Sequence, residues 1–146
     1  MSMSNSLENS TLLHYLQNAD IANIGDAAGL QNSATEGSLY VSLHTGDPGE
    51  AGTQATSESA YTSYARVAVA RNSGGWTVST NTGSNAALVT WPACTGGSST
   101  VTYFGIGTDS AGAGTLMFSG ALTASLAISN GITPQAAIGA LTITLD

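Results

Sequence analysis

The chain has 146 residues, with nine carboxylates, two arginines and no lysine, and a formal net charge of −7. So few cations exclude a phosphate-binding surface, which needs several Lys or Arg, and hence a nucleic-acid partner. The single cysteine excludes an intrachain disulfide, and no apolar run reaches the ~18 residues of a membrane-spanning helix.

The first residues, "MSMSNSLENS", lack the basic region and apolar stretch of a secretory signal. "SNSLENSTLLHYLQNA" reads as a short helix. Ser6 is its candidate N-cap, Glu8 sits near the positive end, and Leu12, Leu13 and Leu16 form an apolar stripe. "NIGDAAGLQNSATEG" breaks that helix at Gly25, Gly29 and Gly37. Residues 1–37 are therefore expected as a helix and extended arm. One short amphipathic helix is marginal by itself, so it must dock on its own domain or, the favoured reading, on a partner through Leu12, Leu13 and Leu16.

From Ser38 the period changes to two, and residues 38–146 are expected as a β domain. "SLYVSLHT" alternates Leu39, Val41 and Leu43 with Tyr40, Ser42 and His44. "YARVAVAR" sets Ala65, Val67 and Val69 against Tyr64, Arg66 and Ala68. "WTVST", "AALVTW", "TVTYFGIG", "TLMFSG", "ALTASLAI" and "GALTITLD" follow, separated by turns such as "RNSGGW", "NTGSNA" and "TDSAGAG". About eight short antiparallel strands point to an all-β fold, a two-sheet antiparallel sandwich of jelly-roll type.

Chemical motifs are scarce. His14 and His44 belong to no metal-binding spacing, and "DPGE" is a turn set by Pro48 and Gly49 rather than a cation site. No serine lies in G-x-S-x-G, and His44 with Asp47 marks no nucleophile. The loop carboxylates Asp47, Glu50, Glu58 and Asp109 suit solvated groups better than a glycosidase pair. "GIGTDSAGAG" lacks the lysine and following helix of a phosphate loop. Neither an enzyme nor a cofactor is expected. Trp76, Trp91 or Tyr103 would serve a carbohydrate-binding module, but core packing is the better account of the tryptophans. Cys94 reads as a small buried hydrophobe.

Both cations fall in "YARVAVAR". Arg66 is expected to pair inside the domain, with Glu58 or Asp47, pinning the loop before its strand with Tyr64 alongside. Arg71 is expected to meet a neighbouring subunit. Charged residues make up only 8% of the chain, against roughly 25% in an ordinary domain. A surface so poor in charge suits a protein packed permanently against others.

"LYVSLHTGDPGEAGTQATSESAYTSYARVAVAR", with Ser4–Leu12 upstream and "TVTYFGI", "GTLMFSGAL" and "LTITLD" downstream, resembles a family of small tailed-bacteriophage virion proteins. The pattern is carried by Leu39, Tyr40, Leu43, Asp47, Pro48, Tyr64, Ala65, Arg66, Phe104, Gly105, Ile106 and Gly120. Its members are labelled head cement (decoration) proteins or tail-fibre-like proteins. The resemblance implies a non-enzymatic jelly-roll protein of the virion, made in the host cytoplasm. The leading expectation is a cement protein on the capsid exterior, bound to the major capsid protein and to sister subunits as a dimer or trimer. A tail or tail-fibre component is the alternative, and a sugar-binding module or cell-wall hydrolase the more distant ones.

Overall fold

The computed structural model describes residues 2–146, so Met1, the first residue of the expected arm, lies outside it. Helix α1 covers Asn5–Gln17. Its N-cap is Ser4 rather than Ser6: the Ser4 backbone is extended, its hydroxyl accepts from the Leu7 amide at 3.4 Å, and its carbonyl accepts from Glu8 at 3.0 Å. The helix stops at Asn18, which takes the left-handed conformation (φ 54°) that its short polar side chain tolerates. The chain then closes a small loop. Ile21 bridges to Leu30, and Asn18 and Ser33 exchange hydrogen bonds.

Nine strands follow: β1 (Ser38–His44), β2 (Val67–Ala70), β3 (Trp76–Ser79), β4 (Thr82–Asn85), β5 (Val89–Thr90), β6 (Ser98–Gly107), β7 (Leu116–Ser129), β8 (Gln135–Ala136) and β9 (Thr142–Thr144). They make three sheets, ordered β2-β1-β6-β7, β3-β4-β9 and β5-β8, with antiparallel pairing throughout. This corrects the expected two-sheet sandwich and jelly roll. No sheet closes or curls as a jelly roll requires, and β5 and β8 are too short to build its second large sheet.

Three local differences have physical causes. "NTGSNA", expected as a turn, supplies β4: the reversal falls at Thr80 (φ 54°), and Gly83 is needed in the strand because a Cβ there would collide with Leu16. "TLMFSG" and "ALTASLAI" are one strand, β7, because Gly120 does not turn the chain but lets it lie on the Phe104 ring, 2.8 Å from where a Cβ would sit. The strand in "YARVAVAR" starts only at Val67, leaving Tyr64 and Arg66 in the preceding loop.

The two faces of β1 divide the molecule. Leu39, Val41 and Leu43 lie on one face, with Ile106 and Phe104 opposite Val41 and Leu43 on β6. This face joins a core containing Leu12 and Leu16 of α1, Trp76, Val89, Trp91, Ile128, Leu141 and Ile143. Burying a side chain of this size is worth roughly 1.5–3 kcal/mol, so α1, marginal alone, is held by its packing on β3 and β4. The other face carries Tyr40, Ser42 and His44, opposite Gly107, Gly105 and Tyr103. A strap, residues 45–66, covers it.

Candidate functional site

The strap is held on by polar groups that its own sequence and the opposing glycines bring together. Its backbone docks through Thr45 N–H on the Ser57 carbonyl and Ser59 N–H on the Leu43 carbonyl, each at 2.8 Å. Gln54 is fully buried. It donates to the Tyr40 carbonyl at 3.3 Å and accepts from the Asp109 amide at 2.9 Å. A Cβ on Gly107 or Gly114 would occupy the place of the Gln54 side chain. The strap thus sits where two glycines have left room.

Arg66 closes the strap. Its Nε and Nη2 donate to the two carboxylate oxygens of Glu58, both at 2.7 Å. Nη1 donates to the Asp109 carbonyl at 2.8 Å, and Nη2 also donates to Gly112 at 2.6 Å. One guanidinium therefore ties the strap to the turn between β6 and β7. The fork matches a carboxylate in a way an ammonium cannot. The Glu58 hydrogen bonds raise the Arg66 pKa further above its already high ordinary value, against the opposing effect of burial. Tyr64 completes the group, donating to Glu58 at 2.9 Å and accepting from the Leu43 amide at 3.0 Å. Burial foremost, with Glu58 beside it, pushes its phenol far up, so it stays protonated at any ordinary pH. Asp47 lies outside this group: its Oδ1 accepts from the Gly49 amide at 2.8 Å, closing the DPGE turn. Arg66–Glu58 is the one ion pair among the described residues.

Ser42 and His44 form a second pair beneath the strap. His44 Nδ1 lies 2.8 Å from the Thr56 carbonyl, which only accepts, so the proton sits on Nδ1. Nε2 is then the acceptor for the Ser42 hydroxyl at 2.7 Å. The geometry resembles a nucleophile and its base, but both residues are 0% exposed. Burial also lowers the His44 pKa, keeping the ring neutral. With no route for a substrate, the pair satisfies buried polar groups and holds Thr56.

The remaining expected positions lie elsewhere. Arg71 donates to the carbonyls of Tyr15 at 2.8 Å and His14 at 2.7 Å, and more weakly to Glu36. It therefore caps the last turn of α1, where the helix dipole favours a cation. Leu12 and Leu16 are fully buried in their own chain, and Leu13 is half-buried. Trp76 and Trp91 are buried, so neither presents a ring for sugar stacking, and Tyr103 is half-buried. The Trp91 indole donates to the Val41 carbonyl at 3.2 Å, whereas the Trp76 N–H has no acceptor among the described residues. Cys94 is buried and free.

Sequence reasoning did not find Gln54, the Ser42–His44 pair, or the Asp109 and Gly112 carbonyls. Gln54 carries no motif. Ser42 and His44 differ from any alternating polar pair only in having Gly105 opposite, and that register appears only in the folded sheet.

Comparison with known proteins then places the chain. A family model described as Podophage GP4 fiber I protein gp80 matches residues 2–144. No curated protein matches the chain. Because the match spans nearly the whole length, the chain belongs to this family, and it is a bacteriophage virion structural protein rather than an enzyme. The same match corrects three linked expectations. A capsid cement or decoration role, the major capsid protein with sister subunits as partners, and a place on the capsid exterior all belonged to the head branch of the resemblance. The family that matches is a fibre family.

Proposed function

We propose that the chain is a non-catalytic building block of a podophage tail fibre, associating with other tail components. The observation that carries this reading is the fibre-family match over residues 2–144. The architecture supports it. A fibre component must hold its shape under load, and here the longest loop is fixed at Gln54, Thr56, Glu58 and Arg66 instead of moving freely. In this role Arg66, Glu58 and Tyr64 act as the structural anchor. Asp47 is carried on the anchored loop as a surface group.

Antibody-gold labelling of purified virions tests the placement, together with peptide quantification in separated head and tail fractions. Labelling at the tail, with a copy number far below that of the head shell protein, is the expected result. Labelling spread over the head, in a ratio near one to the shell protein, would overturn it.

A further inference from the structure

The longest strand, β7, lies at one end of the largest sheet. β7 pairs with β6 along one side, and among the described residues no strand pairs with its other edge. Natural edge strands are blunted by lysine, proline, bulges or a covering segment. Leu116–Ser129 contains no charge and no proline. Its only such features are two bulges, one where Leu122–Ser125 stand opposite Thr102 alone and a smaller one at Met117, between the Ile106–Phe118 and Gly107–Leu116 pairs. From the larger bulge onward the strand runs beside Gln135–Leu141. Leu116–Ala121 is left with no strand on its outer side among the described residues, and from Phe118 to Ala121 its register is regular.

A groove follows this edge, formed by Leu116–Ser119 and walled by Asp47 and Glu50. Both carboxylates are exposed, and neither is in an ion pair among the described residues. Pro48 is buried between them, so the strap holds in place the turn that carries both charges. The occupant must therefore supply unpaired backbone groups and positive charge. A second copy of this chain supplies the first but not the second. It has no lysine, Arg66 is closed on Glu58, and Arg71 is engaged with α1.

We propose that Leu116–Ala121 accepts an extended segment of another virion protein as an added β-strand. That segment alternates apolar and small residues and carries Lys or Arg facing Asp47 and Glu50. Main-chain hydrogen bonds along the edge supply the affinity, and the two carboxylates select the partner and its register. The proposal rests on the fibre reading only for the source of the strand.

The test is an array of blocked, overlapping peptides covering all virion proteins of the same phage, this chain included, probed with the purified full-length protein. Bound peptides should be extended and basic. Their affinity should fall by about tenfold or more for the Asp47→Asn, Glu50→Gln double variant, in which the substituted amide oxygen still accepts from Gly49. N-methylation of alternate peptide amides should abolish binding. The proposal is overturned if no peptide binds, if binding survives neutralisation or N-methylation, or if only peptides from this chain bind. The array reads the isolated protein, so its outcome is separate from that of the labelling experiment.

Discussion

Arg66→Ala removes a guanidinium whose side chain is 2% exposed, along with both hydrogen bonds to Glu58 and those to the Asp109 and Gly112 carbonyls. Breaking a buried ion pair from one side costs about 3–5 kcal/mol, mostly because the remaining charge has lost its partner. Glu58 is 17% exposed, so water recovers part of that loss. The two carbonyls belong to exposed residues of a turn and rehydrate easily. The lower end applies, about 3 kcal/mol. With an unfolding entropy of ~2.1 cal/mol/K per residue, a chain of this length should lose about 10 °C in Tm. Circular-dichroism melts at neutral pH measure this directly. Arg66→Lys keeps the charge without the fork and should recover at most about half of the loss. A cycle combining Arg66→Ala with Glu58→Gln should show coupling of at least ~1.5 kcal/mol. A Tm within about 2 °C of the parent, or additive single variants, would refute the anchor.

Other perturbations probe other parts of the fold. Leu16→Ala empties a fully buried position over Gly83 and should cost about 2–5 kcal/mol. Urea unfolding measures the loss, and hydrogen exchange should show α1 opening first. Gly105→Ala places a methyl 2.5 Å from His44 Nε2 and 2.7 Å from Ser42 Oγ. Both are held by hydrogen bonds, so about 1–3 kcal/mol should be lost, and limited proteolysis should find the strap more readily cut. Burial holds His44 below its ordinary value of 6.5. Below that pH the unfolded chain binds more protons than the folded one, so stability should fall as pH drops through and below 6.5, with no contribution from His44 above it. A His44→Gln variant should be less stable at neutral pH but show a shallower acid slope. An equal slope in both proteins would mean that His44 is not buried neutral. Tyr64, raised chiefly by burial, behaves in the opposite sense. Its contribution should be lost as pH rises past 10, and Tyr64→Phe should lack that alkaline loss.

How much could be read in advance depended on how local each signal was. The α1 segment was visible because a leucine stripe and a helix-breaking run of glycines lie within a few turns of one another. Most strands, though not β4 or β8, were visible by alternation, and the DPGE turn by its own residues. Arg66 could be linked to a nearby carboxylate, Glu58 or Asp47, because only two cations were available to pair, and the fold selects Glu58. Gly83 and Gly120 misled for the same local reason. A glycine in sequence signals a turn, but each of these is a place where the chain lies against a neighbour, Leu16 in one case and the Phe104 ring in the other. Arg71 was expected to reach outward. It turns inward because the last turn of α1 brings the carbonyls of His14 and Tyr15 beside it.

By itself the sequence determined what kind of polymer this is: antiparallel β-rich, poor in charge, and with a scarce cation expected to pair with a nearby carboxylate. Composition and short-range periodicity carry those properties, and they survive any arrangement of the strands. The tertiary structure decided how many sheets form, which face of β1 is covered by a strap, and which strand keeps an open edge. Those outcomes depend on pairings between residues far apart, such as Gln54 with Gly107 and Arg66 with Gly112. Contacts of that kind are selected by shape and by the satisfaction of buried polar groups once the chain has folded, and the residue pattern along the chain does not encode them locally.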